Sequence, residues 1–279
     1  VREITVLTHR QPSDTAQALR DLVAQAAAAG VTLRLDEEET LKHQLEPGPG
    51  VALNAPLADD VELCIVLGGD GTILRALQRY AGTGVPVFAV NFGEIGFLAT
   101  IEPGQLSEGI SRALSGDFDL LHLPAIVLES PLPRAINDVA VHRKVGERVA
   151  EIAYGLQGEV LGNVRCDGLV VATPAGSTGY NLANGGPVMA WGVAGLVVSF
   201  IAPHSLTARA LVVAPGDQLT IHNRSREPLD VAVDGRPAGE IPPGGAIEAR
   251  FVNDLATIAQ LPGSSFYRRL QEKFGRLAS

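Results

Sequence analysis

The chain has 279 residues and a formal charge of 22 − 31 = −9, with 46% hydrophobic and 5% aromatic residues. That length suits one large domain or two modest ones, and the hydrophobic fraction excludes wholesale disorder. The acidic balance argues against a duplex nucleic-acid binder, which needs a basic face to release counterions; it leaves anionic small molecules open, because backbone N–H groups hold phosphate on acidic proteins too.

In chain order, residues 4–7 read as a short buried strand, and Ser13 and Asp14 offer N-caps for an alanine-rich helix that Gly30 ends. Residues 31–35 form a strand with one polar face, residues 36–39 a solvated loop or helix start with no assigned function, and residues 46–50 a flexible Pro/Gly loop. The apolar run 61–67, bounded by Gly68-Gly69, suits a fully buried parallel strand. A helix over 72–80 and a strand over 85–90 follow, so the first hundred residues predict right-handed crossovers and a parallel sheet.

After Pro103 and a last helical stretch to about Ser115 the grammar changes. Short strands are expected at 120–128, 136–142, 149–157, 159–165, 169–173, 196–201, 210–213, 218–222 and 229–233, several separated by turns, which predicts an antiparallel sandwich-like region. The tail over 264–277 reads as an amphipathic helix capped by Ser264 or Ser265 that packs back on the first domain. The expected division is an α/β domain over 1–102 plus 262–279 and a β-rich domain over 103–261.

Cys64 and Cys166 cannot build a disulfide framework and neither lies in a CxxC, which fits a reducing, cytoplasmic setting. The first five residues are charged and then strand-like, without a signal-type apolar region, and the longest apolar run, 194–202, is about half a membrane span. No membrane or nucleic-acid partner is expected. His9, His43, His122, His142, His204 and His222 lack zinc-site spacing. His204, after a proline, is expected to bond its own loop, Trp191 to pack at a contact, and Cys64 to be an inert small hydrophobe in a buried strand.

Gly68-Gly69-Asp70-Gly71-Thr72 is the sharpest local signal, lying between a buried strand and a helix. Three glycines allow positive φ and close approach of a ligand, and the helix start offers free N–H groups to an anion. It is neither a Walker A loop nor a GxGxxG fingerprint. It adds a carboxylate, Asp70, which can take a proton from a hydroxyl attacking phosphate or help hold Mg²⁺; the plain alternative is a strand–helix turn with Asp70 as N-cap. The second constellation runs from Cys166-Asp167-Gly168 to Thr173-Pro174-Ala175-Gly176-Ser177-Thr178-Gly179-Tyr180-Asn181, a strand ending in a turn that starts a helix near Ser177. A Ser177 nucleophile is a weak rival, since no GxSxG elbow is present.

Together these segments resemble the NAD kinase family. Gly68–Thr72 is similar to its GGDGT motif, Asp167–Tyr180 to its DGxxxxTPxGSTxY motif, Asn137-Asp138 to its Asn-Glu/Asp pair, residues 91–98 to its NxGxxGFL stretch and Pro203-His204-Ser205-Leu206 to its PHSL loop, in order from about Leu63 to Arg236. The resemblance implies Mg²⁺-dependent transfer of a phosphoryl group from ATP to the 2′-hydroxyl of the adenosine ribose of NAD, giving NADP. It also implies a two-domain architecture with a site between the domains, a second domain that binds NAD and joins subunits, and a homodimer or homotetramer.

Carried over by position, the resemblance makes Asp70 the general base, with Gly68, Gly69 and Thr72 forming the phosphate turn and Gly71 contacting nucleotide. Asn137 and Asp138 hold the riboses, and Asp167 with Thr178, Gly179, Tyr180, Asn181, Leu182 and Ala183 lines the adenine and nicotinamide pockets, partly from a neighbouring subunit. Arg75, Arg148 and Arg165 match ligand-contact positions, and Ala202 and Arg236 two more pocket positions. The chain departs from the common pattern at Asp138 (often Glu), Ala175 (often Thr or Ser), Arg209-Ala210 (often Arg-Pro) and Arg236 (often Gln), which bears on affinity and on the choice of phosphoryl donor. The metal is expected mainly on the ATP phosphates. Two alternatives share parts of this signature: a lipid or sphingoid kinase with the same GGDGT turn, and a non-catalytic NAD(H)-binding regulator.

Overall fold

The computed structural model of the chain describes residues 2–94, 96–129 and 131–275. In chain order its elements are β1 (Arg2–Thr8), α1 (Pro12–Ala28), β2 (Val31–Arg34), α2 (Glu37–His43), β3 (Val51–Ala52), β4 (Leu63–Gly68), α3 (Asp70–Arg79), β5 (Val87–Asn91), α4 (Leu106–Ser115) and β6 (Asp119–Leu128). They continue with β7 (Asp138–Arg143), β8 (Ala150–Leu156), β9 (Glu159–Cys166), β10 (Gly168–Ala172), α5 (Tyr180–Ala183), β11 (Leu196–Ile201), β12 (Leu211–Val213), β13 (Leu219–Asn223), β14 (Leu229–Val233), β15 (Arg236–Ile241), β16 (Ala246–Gln260) and α6 (Phe266–Phe274). The chain divides into two units, Val1–His122 with Ala256–Ser279, and Leu123–Leu255.

In the first unit the strands lie in the order β3–β2–β1–β4–β5–β16, every pairing parallel. Each residue of β4 is buried, as its unbroken apolar run predicts for a central parallel strand. Ile4, Leu33, Ile65, Phe88, Leu19, Leu22 and Ile110 form the core, so helices α1 and α4 bury their apolar stripes on the sheet. Proline sets the start of α1: Pro12 takes a first helical position with Gln11 as N-cap, displacing the expected caps Ser13 and Asp14. The acidic stretch at 36–39 is a helix start, the second of the two expected readings; Glu37 and Glu38 are exposed, but Glu39 is not solvated. Asp36 caps α2 by accepting from the Glu39 amide at 2.8 Å, and Glu39 itself is fully buried. Helix α6 belongs to this unit; Leu277, where the expected tail helix ends, lies outside the described residues.

The second unit carries the antiparallel sheet β12–β11–β10–β7–β14–β15 and the antiparallel run β16–β13–β8–β9. Residues from both, among them Val141, Leu169, Val198, Val231, Ile152, Leu219 and Ile247, fill one core, the arrangement of a sandwich. Two strands of this unit escape the sequence reading, as does the short β3 of the first. In β15, Pro237 and Gly239 mask the strand, and both are tolerated because β15 is an edge. In β16, Asp254 takes φ +53° and breaks the alternation midway, just before the strand passes from the second unit to the first. Among the described residues no helix is long and apolar enough to cross a membrane.

Candidate functional site

The phosphate turn sits at the carboxyl end of β4. Strand order reverses between β1 and β4, the crevice where open α/β sheets hold ligands. Gly69 is the N-cap of α3, so the helix starts two residues earlier than expected and Asp70 is its first residue rather than its cap. None of Gly68, Gly69 and Gly71 adopts positive φ, contrary to one expected use of glycine here. Their use is close approach. A Cβ on Gly68 would lie 2.7 Å from that of Thr72, one on Gly69 would lie 3.0 Å from the Gly93 Cα, and one on Gly71 would meet nothing within 4 Å. Gly71 thus borders open space at the helix start.

The Asp70 carboxylate reaches across to the 91–98 stretch. Oδ2 accepts the Phe97 amide at 3.0 Å and Oδ1 the Leu98 amide at 2.9 Å. Asn91 folds that stretch back: its Oδ1 accepts the Gly93 amide at 3.0 Å, its Nδ2 donates to Glu102 at 3.0 Å, and Gly96, at φ +66°, packs against its side chain. Ile95 lies outside the described residues. Two motifs some twenty residues apart therefore form one piece around Asp70. Each carboxylate oxygen keeps a lone-pair direction free to accept a further proton.

Arg75, one turn along α3, is held by acids of α2, at 3.4 Å from Glu38 and 3.7 Å from Glu39. Buried Glu39 accepts from the Thr8 amide at 2.9 Å, the Thr8 hydroxyl at 2.7 Å and Lys42 Nζ at 2.8 Å. Since the Thr8 hydroxyl donates to Glu39, the 2.7 Å contact with His43 Nε2 requires the imidazole to donate. Burial holds the His43 pKa below its ordinary value, against the pull of Glu39. This network at the end of β1 is invisible to motif reading; its only local trace is the acidic run.

In the second unit Asn137 and Asp138 enter β7 beside the turn that leaves β10. Asp138 pairs with Ala172, the Thr173 amide donates to the Asn137 carbonyl at 2.9 Å, and the Thr173 hydroxyl to the Ile136 carbonyl at 2.6 Å. Gly176 lies so close to the Asn137 backbone that a Cβ would overlap its carbonyl. Asp234, at φ +47° in the Asp234-Gly235 turn, accepts the amides of Ile136, Asn137 and Asp138 at 2.9, 2.7 and 3.0 Å. Sequence reading overlooked Asp234; the only available signal was the Asp-Gly hairpin dipeptide. Burial, reinforced by the Asp234 charge, pushes the Asp138 carboxyl up to about 7. Asn137 Oδ1 is buried without a hydrogen-bond partner.

The segment 175–183 divides in two. Ala175, Ser177 and Asn181 are buried. Ser177 Oγ donates to the Pro174 carbonyl at 2.7 Å and accepts the Met189 amide at 2.9 Å, a structural use unlike that of a nucleophile. Asn181 Nδ2 donates to the Ser177 and Pro187 carbonyls at 2.9 and 3.0 Å. Thr178 and Leu182 are half-buried, while Gly179, Tyr180 and Ala183 face outward, Tyr180 at 41% exposure. Burial raises the Tyr180 phenol, and the nearby charges of Asp138 and Asp167 add to it.

Asp167 is paired with Arg143 at 2.7 Å. Arg148 and Arg165 line a cavity of about 670 Å³ together with Arg143, Arg224 and Arg226, the last three unflagged by any motif. Ala202 is exposed at φ +44°, and the His204 amide donates to the Arg165 carbonyl at 2.7 Å. Arg236 is exposed at the start of β15. Both thiols are buried, and burial raises their pKa, that of Cys166 to about 11. Among the described residues no group of three or more His, Cys, Asp or Glu is placed to hold a metal ion.

The sequence matches the ATP-NAD kinase N-terminal domain over residues 36–118 and the ATP-NAD kinase C-terminal domain over 136–255. A protein of Gemmatimonas aurantiaca named NAD kinase is 32% identical over 98% of this chain and 95% of its own length. One of Lachnoclostridium phytofermentans with the same name is 31% identical over 99% of each. By fold the chain is similar to yeast NADH kinase solved with NADH (TM-score 0.87, 21% identity, 100% of this chain and 89% of that one). It is also similar to an NAD kinase from Archaeoglobus fulgidus solved with ATP (TM-score 0.76, 23% identity, 99% and 98%). On the full-length identity and the two domain matches, this chain belongs to the NAD kinase family.

Proposed function

We propose that the chain transfers the γ-phosphoryl group of ATP to the 2′-hydroxyl of the adenosine ribose of NAD, with Asp70 as general base. The observation that carries the reading is the Asp70 carboxylate, fixed by two backbone amides at a helix start that borders open space. The hydroxyl proton passes to Asp70, the ribose oxygen forms a bond to the γ-phosphorus, the bond to the β-phosphate oxygen breaks, and ADP and NADP leave. Such a transfer asks chiefly for positioning and charge stabilisation. Gly68, Gly69, Gly71 and Thr72 offer the turn for phosphate, and Arg75 supplies a cation near it. Asp70 already accepts two amides, which suits an Mg²⁺ carried mainly on the triphosphate. Bound there, the metal supplies charge neutralisation.

Asn137 and Asp138 suit ribose hydroxyls. The buried Asn137 Oδ1 awaits a donor, and a carboxyl raised to about 7 both donates and accepts at neutral pH. Tyr180, Thr178 and Gly179 offer a wall for NAD, and Arg148 and Arg165 anion contacts within an arginine-lined cavity. We place the activity in the cytoplasm, on the two free thiols. We further infer a homodimer or homotetramer, because the edge strands β9 and β12 expose Val160, Leu161 and Val212. Sedimentation on dilution, beside specific activity, tests the assembly; a fully active monomer overturns it. The activity is tested by incubating the chain with NAD and Mg²⁺ with and without ATP, and with diacylglycerol in place of NAD. NADP should form only with ATP. Phosphatidate without NADP would favour a lipid kinase, and NAD binding without turnover a regulator.

A further inference from the structure

Helix α6 is the last described element and carries no motif, yet one of its side chains ends beside the proposed base. The Arg269 guanidinium donates to the Phe97 carbonyl at 2.7 Å, and the Leu98 N–H of that same peptide group donates to Asp70 Oδ1 at 2.9 Å, beside the Phe97 amide on Oδ2 at 3.0 Å. The Phe97 ring is buried and meets rings from both ends of α6, with centroids 6.0 Å from Phe266 and 5.7 Å from Phe274. Arg269 therefore touches the segment that grips Asp70 from behind, and two aromatic contacts pack the Phe97 ring against α6.

We propose that Arg269 is a positioning residue for the phosphoryl transfer, setting the aim of the Asp70 carboxylate through the 97–98 backbone. This rests on the reading of Asp70 as the base. The physical reasons are three. The bond to the Phe97 carbonyl is charge-assisted, roughly twice as strong as a neutral one. It polarises the peptide group that joins the Phe97 carbonyl to the Leu98 N–H, and hydrogen bonds in a chain strengthen one another, so the Leu98 amide becomes a better donor to Asp70 Oδ1. The guanidinium also stays charged at every working pH and faces Asp70, Glu102 and Glu272. Their attraction opposes the burial that lowers its pKa. A base held within about 0.5 Å of its productive geometry needs such a supporting contact, because misplacement by about 1 Å costs on the order of 100-fold in rate. Arg269 itself need not touch either substrate.

The test is a double-mutant cycle on the full chain, read as kcat and as KM for NAD and for ATP. Arg269→Met should lower kcat about tenfold or more with both KM values little changed, and Arg269→Lys, which keeps a charged donor, should recover much of the loss. In an Asp70→Asn background Arg269→Met should lower kcat little further, since the group it aims is gone. Equal kcat losses in both backgrounds, with Asp70→Asn itself impaired, would show that Arg269 only docks α6. A raised KM with unchanged kcat would make it a binding residue. Either result overturns the proposal. A near wild-type kcat for Asp70→Asn would instead remove the base on which it rests. Should Arg269→Met fail to fold, Arg269→Lys and Arg269→Gln carry the same cycle.

Discussion

Asp70 opens helix α3 in the first unit and Asp138 opens strand β7 in the second, yet the fold treats the two carboxyls in opposite ways. Asp70 is half-exposed and its two oxygens are fixed by backbone amides of the 97–98 segment. Asp138 is buried beside a second carboxylate, Asp234, which takes the backbone amides of 136–138. The first arrangement aims a carboxylate outward to receive a proton. The second makes a carboxyl that holds its own proton up to about pH 7 and suits hydrogen bonding to a hydroxyl. The chemistry is thus decided by where the neighbouring amides go, and replacing either aspartate by asparagine separates the two cases.

The larger effect belongs to Asp70. In Asp70→Asn one oxygen becomes an NH₂ group facing the Phe97 or Leu98 amide, donor against donor, and the proton acceptor is lost. Turnover should fall by about 10²–10⁴-fold, the usual worth of a general base, with KM for NAD little changed. Steady-state NADP formation measures both, and near wild-type kcat would exclude Asp70 as the base.

Much of this contrast cannot be read from sequence, for a specific reason. The strand β4 and its turn are legible because an unbroken apolar run ends in glycines, and the second motif because Thr173, Pro174 and Gly176 punctuate the end of β10. What fixes each aspartate lies far along the chain. Phe97 and Leu98 reach Asp70 from 27 and 28 positions away, and Asp234 reaches the 136–138 amides from 96 to 98 positions away. Glu39 looks solvated in an acidic run, and only its partner Thr8, 31 positions earlier, reveals a buried ion network. Arg143 meets Asp167 across neighbouring strands, a pairing that no spacing rule offers. Local pattern thus locates the turns, and distant backbone groups determine how their side chains behave.

Two glycines extend the contrast to the backbone. In Gly176→Ala the new methyl would overlap the Asn137 carbonyl, and backbone cannot yield as a flexible side chain does. A loss of about 1–3 kcal/mol in stability is expected, seen as a lower Tm by calorimetry. Gly71→Ala meets no protein atom within 4 Å, so its Tm should hold while KM for ATP rises. Should Gly71→Ala leave both unchanged, the space beside Asp70 is not where nucleotide lies.

The effect confined to a pH window is the dependence of stability on the ionisation of Asp138. Its carboxyl is raised from an ordinary 3.8 to about 7 in the folded chain. Between those values the folded state binds more protons than the unfolded state, so stability falls as pH rises. The contribution is fully present below about pH 4 and is lost by the time pH has passed 7. Asp138→Asn keeps the shape of the neutral acid and cannot ionise. Wild type should therefore lose Tm from pH 5 to pH 8 relative to Asp138→Asn. The difference should be roughly 5–10 °C, because two pH units below a folded value of about 7 are worth about 2.7 kcal/mol and about 1 kcal/mol moves the Tm of a domain this size by roughly 2–4 °C. Asp234 sharpens the reading. Removing its charge with Asp234→Asn weakens one cause of the raised value, though burial remains the larger one. The pH dependence should then shrink without vanishing. Parallel Tm curves for wild type and Asp138→Asn over that range would mean that Asp138 titrates as an ordinary exposed carboxyl, and the opposition between the two aspartates would reduce to geometry alone.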